Sequence, residues 1–184
     1  MTADTPRLES VRLVLRPVAA SDVNPRYCAW LNDPAVNRYL ETRSQTQTMA
    51  TVARYVKSIS SDPTQFFWAI CLAQDGAHIG NIKVGPVHAL HRTADVSLFI
   101  GEKNLWGRGY AAEAIALVCG CAFGKLGVNK LKAGFYAENA ASIRTFEKCG
   151  FVVEGRLRQH AFSEGHFTDV ILMGRLASDP PPVP

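Results

Sequence analysis

The chain has 184 residues, 47% of them hydrophobic and 20% charged, a composition that suits one globular domain with a sizeable core and excludes a disordered or fibrous polymer. Twenty Lys and Arg against sixteen Asp and Glu give a net charge of +4, too small and scattered for a nucleic-acid surface, yet mildly favourable to an anionic ligand. The five cysteines form no C-x-x-C, the N-terminal MTADTPRLES has no apolar signal core, and the most apolar run, residues 111–123, is too short to cross a bilayer. A cytoplasmic protein with reduced thiols and no membrane span is expected. Cys119 and Cys121, two apart on a helical pattern, point to different faces, so no metal site is expected.

Residues 11–17 alternate as a strand and Ala20-Ser21-Asp22 starts a helix. Asp33 as N-cap with Pro34 at the first helical position predicts a short helix before Thr42. Val52, Tyr55, Val56 and Ile59 recur at the spacing of a buried helical stripe. The period then changes to two. Residues 66–72 and 78–84 read as strands joined at Asp75-Gly76, a hairpin-turn signal, and residues 94–100 as a third.

Ala111, Ala114, Ile115, Val118 and Ala122 mark an amphipathic helix, with Gly127 as its left-handed cap. Residues 131–137 read as a strand, Asn139 as the N-cap of a helix closed by Gly150, and residues 151–162 and 167–176 as two more strands around Ser163-Glu-Gly-His166. The proline-rich end, 178–184, reads as an extended tail to a core spanning about 8–177. Antiparallel strands grouped ahead of alternating helices and strands predict a single α+β, mixed α/β domain.

NLWGRGYAAEA, residues 104–114, sets two glycines between a strand and a helix start. Glycine admits close backbone approach, and a helix N-terminus offers unpaired N–H groups and a positive dipole end, so the stretch reads as an anion cradle or as a tight strand-to-helix turn. There is no G-x-x-x-x-G-K-[ST]. A dinucleotide fingerprint would belong in an opening βαβ unit, whereas here antiparallel strands precede it.

Together with NAASIRTFEKCGF, residues 139–151, and the Glu154-Gly155 pair that follows, the stretch resembles the GNAT superfamily of acyl-CoA-dependent N-acetyltransferases, in its RimJ/RimL-like branch. It looks like that branch's W-G-[KR]-G-Y-A-x-E-A loop, and the later segment is similar to its N-x-x-S-I-x-x-[FYL]-E-K-x-G-F helix. The resemblance implies a largely antiparallel twisted sheet splayed at the coenzyme site, with helices on its flanks. It implies acetyl-CoA as co-substrate, with Trp106, Gly107, Arg108, Gly109, Tyr110 and Ala111 holding its pyrophosphate and the strand end around Phe99 and Ile100 meeting the pantetheine arm. Asn139 would bond that arm, Ser142 would lie near the sulfur, and Phe146 would pack along the coenzyme.

Many members of the superfamily protonate the leaving thiolate with a tyrosine on this helix. Phe146 holds that place here, which makes Ser142 the replacement acid. A general base is sought among Glu41, Glu102, Glu138 and His160. Cys149, before the helix-closing glycine, reads as a buried structural thiol, and direct transfer within a ternary complex is expected. The acceptor would lie over the first third, where Asn32, Asn37, Glu41 and Arg43 suit hydroxyl and phosphate recognition and Trp30 reads either as an aromatic contact to the acceptor or as a core residue. A nucleotide-linked amino sugar is the first expectation and a protein N-terminus its rival. The alternative from another class is a non-catalytic acyl-CoA-binding regulatory module, and the expected assembly is a monomer or homodimer.

Overall fold

The computed structural model describes residues 5–181; residues 182–184 of the expected tail lie outside them. A two-residue strand β1 (Leu8–Glu9) pairs antiparallel with β2 (Leu13–Pro17), and Ala20–Asp22 forms a single 3₁₀ turn rather than a helix. Arg16 at the end of β2 holds Asp22 through two bonds, Nη1 and Nη2 donating to the carboxylate at 2.7 and 2.6 Å. Helix α1 (Pro25–Asn32) starts where Asn24 Oδ1 accepts the Tyr27 N–H, and α2 (Pro34–Asn37) where Asp33 Oδ1 accepts the Ala35 N–H. The expected Asp33 cap is present. The segment then tightens into a 3₁₀ turn, Glu41–Ser44, and α3 (Met49–Ser60) follows, capped by Thr48.

Strands β3 (Phe66–Leu72) and β4 (His78–Val84) flank the Asp75-Gly76 turn at the expected positions, with Gly76 at φ +72°. After β5 (Thr93–Ile100) comes α4 (Tyr110–Gly124), then β6 (Lys130–Tyr136), α5 (Ala140–Lys148), β7 (Val152–Ser163) and β8 (His166–Leu176). Helix α4 ends three residues before the expected Gly127 cap. Gly127 is left-handed, at φ +65°, but it sits in the following turn, where the Val128 N–H donates to the Ala122 carbonyl. Gly150, at φ +81°, closes α5 as expected, the Phe151 N–H reaching back to the Phe146 carbonyl.

The eight strands form one open sheet in the order β1-β2-β3-β4-β5-β6-β8-β7. Every neighbouring pair is antiparallel except β5 and β6. The fold is the expected mixed α/β arrangement with a largely antiparallel sheet. On one face α4 and α5 cover a core containing Trp68, Ile82, Ile115, Leu131 and Phe146; on the other α1 and α3 cover Tyr27, Trp30, Val52 and Phe67. Among the described residues no helix is long and apolar enough to cross a membrane. The five cysteines are buried thiols; burial pushes Cys149 up to about 11 and Cys119 up to about 12, which keeps both protonated.

Candidate active site

The single parallel contact in the sheet is short. Thr93, Ala94 and Asp95 of β5 pair with Lys130, Leu131 and Lys132 of β6, and beyond them the strands separate. The bonds Gly85 N–H to Asp95 carbonyl and Gly101 N–H to Ile79 carbonyl fix which residues of β5 point at β4. By the alternation of an antiparallel ladder these are the odd-numbered ones, so Leu98 and Ile100 turn their backbone groups into the gap. Phe99 does not. Its backbone faces β4 and its ring packs under α1, 6.0 Å from Tyr27 and 6.3 Å from Trp30, which moves the expected backbone contact from Phe99 to Leu98. Across the gap, the Ala137 N–H donates to the Asp169 carbonyl, which sets odd residues of β6 toward β8 and leaves Gly134 and Tyr136 facing β5.

The glycine-rich stretch closes the wide end of this gap. Trp106 donates its indole N–H to the Ile100 carbonyl at 2.8 Å, tying the loop to the end of β5. Gly107 and Gly109 are left-handed, at φ +74° and +82°, a conformation that costs an L-residue about 1–2 kcal/mol. The consequence is a row of unpaired donors. The N–H groups of Gly107, Arg108, Gly109, Tyr110, Ala111 and Ala112 have no partner among the described residues, the first bond of α4 being Glu113 N–H to the Gly109 carbonyl. A Cβ on Gly107 would meet nothing within 4 Å, so the space before these donors is open. Unpaired N–H groups at a helix start are the donors that an anion site of this kind needs.

Helix α5 borders the gap. Asn139 donates its backbone N–H to the Tyr136 carbonyl and accepts the Ser142 N–H on Oδ1 at 3.3 Å, an N-cap whose amide nitrogen is left over. Ser142 is half-buried. Phe146 is 1% exposed and stacks edge-on against Phe135 and Phe151, at 4.8 and 4.9 Å between centroids. That burial corrects the expectation of a ring lying along the coenzyme: Phe146 is a core side chain.

The opposite face brings together residues that the sequence left apart. Leu131, Ala133 and Phe135 point into the core under α4 and α5, so alternation puts Tyr136 on the other side, at the lip of the gap. Its hydroxyl donates to Glu41 Oε1 at 2.5 Å and accepts from Arg43 Nη1 at 2.8 Å. Arg43 also donates to the Leu40 and Phe162 carbonyls and lies 4.7 Å over the Tyr136 ring. Burial, and then the Glu41 bond, push the Tyr136 phenol up while Arg43 opposes them, so the phenol stays a donor. Sequence reading missed Tyr136 because it is simply the last residue of a strand.

Beside this cluster an open cleft of about 400 Å³ is lined by Asn32, Asn37, Arg38, Arg43, Gln45 and Glu164 among others. Arg38 pairs with Glu164 across it at 2.8 Å. Asn32 and Asn37 line the cleft but are committed to the backbone, Asn32 at Cys28 and Gln47 and Asn37 at Leu31. Trp30 takes the core alternative. It is 6% exposed, donates to Glu102 Oε1 at 3.0 Å and packs on His78, so it belongs to the second core and not to an acceptor surface. His160 sits exposed in an irregular part of edge strand β7, which β8 separates from β6 by a backbone distance of about 10 Å. The structure does not bring it to the gap.

Known proteins agree with this arrangement. The family model for an acetyltransferase (GNAT) domain matches residues 12–152. The uncharacterized N-acetyltransferase YoaA of Bacillus subtilis is 28% identical over 161 residues, covering 87% of this chain and 90% of that protein. Spermidine N(1)-acetyltransferase of Vibrio cholerae is 30% identical over 100 residues, 54% of this chain and 57% of its own. The solved structure of spermidine N-acetyltransferase from Vibrio cholerae in complex with CoA and spermine shares the fold, with a TM-score of 0.84 over 92% of this chain and 98% of that one at 23% identity. A splayed sheet, a donor-lined loop at its mouth and a family match across most of the chain lead to one conclusion: the chain belongs to the GNAT acetyltransferase family, as an N-acetyltransferase that uses acetyl-CoA.

Proposed function

We propose that this enzyme, a member of the RimJ/RimL-like branch, acetylates the primary amine of a small acceptor rich in hydroxyl or phosphate groups, with a nucleotide-linked amino sugar as the first candidate. The observation that carries the reading is the Glu41–Tyr136–Arg43 cluster, set on one side of the gap while the donor-lined loop opens on the other. Acetyl-CoA, when bound, supplies an activated acetyl thioester. The N–H groups from Gly107 to Ala111 hold its pyrophosphate, flanked by Trp106, and the gap-facing backbone of Leu98, Ile100 and Gly134 offers partners to the amides of its arm. Asn139 adds a side-chain amide.

On the acceptor side Glu41 receives the ammonium group, and Tyr136 fixes the carboxylate that would otherwise swing freely on an exposed side chain. A lysine-like amine, with a pKa of about 10.4, must lose a proton before attack. The exposed Glu41 gives that proton a path to water. Ser142 donates a proton to the leaving thiolate, directly or through water, in place of the tyrosine that Phe146 replaces. Positioning of the amine against the thioester supplies much of the remaining rate.

A polycation such as spermidine suits the cleft poorly. Two of its nearby charges are Arg38 and Arg43, and the carboxylate of Glu164 is already engaged by Arg38, which leaves Glu41 alone to meet several ammonium groups. A screen of amino sugars, their nucleotide conjugates, polyamines and N-terminal peptides, followed by free-thiol release, tests the assignment. Amino sugars are expected to lead, with Tyr136→Phe raising the acceptor KM about tenfold and leaving that of acetyl-CoA unchanged. Preferential turnover of polyamines or peptides would overturn the acceptor class. We expect a monomer or homodimer in the cytoplasm, although a solved relative, the Vibrio cholerae spermidine enzyme, has a dodecameric structure; sedimentation of the free protein decides the assembly.

A further inference from the structure

Arg12 stands at the entrance to β2, 96 residues before Arg108, yet its side chain spans the start of α4. Nη1 donates to the Arg108 carbonyl at 2.9 Å, Nε donates to Glu113 Oε2 at 2.7 Å, and Nη2 pairs with the same oxygen at 2.5 Å. The guanidinium also lies 4.7 Å over the Tyr110 ring. Glu113 is held on its other oxygen by Ser10 Oγ at 2.6 Å and the Arg12 N–H at 3.2 Å.

Two features of the loop need this brace. A carboxylate in the first turn of α4 suits the helix dipole but opposes a second anion bound at the same helix end. Arg12 neutralises it. The Arg108 carbonyl, in turn, is an acceptor within a row of donors, and aimed at a phosphate it would repel it; the bond to Arg12 turns it inward, toward β2. The guanidinium lies close beside Gly109, where an added Cβ would sit 3.4 Å from Arg12 Nη2, in ordinary contact. Burial favours a neutral Glu113, but the bonds from Ser10 and Arg12 outweigh it and hold the carboxylate below its ordinary range, so the negative charge is present throughout the neutral range.

We infer that Arg12 is a positioning residue for coenzyme phosphate: it cancels the charge of Glu113 and rotates the Arg108 carbonyl away from the ligand, so that the cradle presents donors alone. The inference rests on the reading of residues 106–111 as the pyrophosphate loop. It predicts an effect confined to the phosphate end of the co-substrate.

The test measures CoA affinity by isothermal titration in the full-length protein, alongside steady-state kinetics with S-acetylpantetheine, a thioester that lacks the pyrophosphate. Arg12→Ala is expected to weaken CoA binding about tenfold. Adding Glu113→Gln should restore the charge part of that loss and leave the several-fold part due to the Arg108 carbonyl, and the KM for S-acetylpantetheine should stay within twofold of wild type throughout. Arg12→Lys keeps a charge for Glu113 but loses the fork to Arg108, and several-fold weakening is expected; it carries the test if Arg12→Ala fails to fold. Wild-type CoA affinity in a folded Arg12 variant overturns the inference, as does an equal loss for CoA and S-acetylpantetheine, which would mark a brace of the fold alone. Gly107→Glu serves as the reference: CoA affinity no lower than in Gly107→Ala refutes the loop reading itself, a result distinct from any Arg12 outcome.

Discussion

Placing glutamate at Gly107 separates a backbone cost from a ligand cost. The residue sits at φ +74°, where an L-side chain costs about 1–2 kcal/mol, but nothing lies within 4 Å of the new Cβ, so the free protein meets no clash. For a chain of this size that strain lowers Tm by roughly 2–8 °C, and Gly107→Ala should show it as fully as Gly107→Glu. The charge acts only on the complex. A carboxylate about 6 Å from one phosphate charge opposes it by about 0.7 kcal/mol at the dielectric of water and by about 2.8 kcal/mol at an effective dielectric of 20. CoA affinity should therefore fall between about threefold and a hundredfold for one charge pair, and further with both phosphates. Isothermal titration of CoA into the two variants, with thermal melts in parallel, isolates the term. Equal CoA affinity in the alanine and glutamate variants would refute the cradle.

Ser142→Ala should lower kcat about a hundredfold at neutral pH with the KM for both substrates within twofold, and an unchanged kcat would remove Ser142 as the proton source. Phe146→Tyr buries a hydroxyl among Phe135 and Phe151 at a cost of about 1–3 kcal/mol, so Tm should drop with no gain in kcat. A faster enzyme with its Tm intact would show that the ring reaches the gap after all. Burial raises the Asp22 carboxyl, but the Arg16 bonds and the Ala19 N–H outweigh it and set the folded pKa below the ordinary value. The stability from this pair is present above the unfolded pKa of about 3.9 and is lost as pH falls through the folded one. Asp22→Asn should cost about 2–3 kcal/mol in urea unfolding at pH 7 and progressively less below about pH 4; a difference that grows on acidification would contradict the pairing.

Local chemistry carried most of the fold. Asp75-Gly76, Asp33-Pro34, Asn139 and Gly150 each act within a few residues of themselves, and the elements they bound stand where the sequence places them. Gly127 misled for the same local reason: its left-handed turn is real, but α4 ends at Gly124, three residues earlier. The loop of residues 104–114 was legible because its donors and glycines lie in one run. Side-chain partnerships were not. Tyr136 meets Glu41 across 95 residues, and no pattern within β6 announces it. Trp30 reads like a recognition aromatic on composition alone, whereas α1 folds it against Gly101 and His78 inside the core.

The three-residue seam between β5 and β6 gives this sheet something unusual for a closed core, a pair of free edges in its own interior. An outer edge recruits strands indiscriminately, and proteins guard such edges with charges or short lengths. Here α4 and α5 roof the wedge and its base is sealed, so it admits a slender amide-bearing arm far more readily than another polypeptide. On the proposed reading the co-substrate arm completes the ladder, and its binding energy becomes folding energy by mass action. The amides of Leu98, Ile100 and Gly134 would then exchange fast in the free enzyme and slowly in the loaded one, making the unfinished sheet a gauge of occupancy.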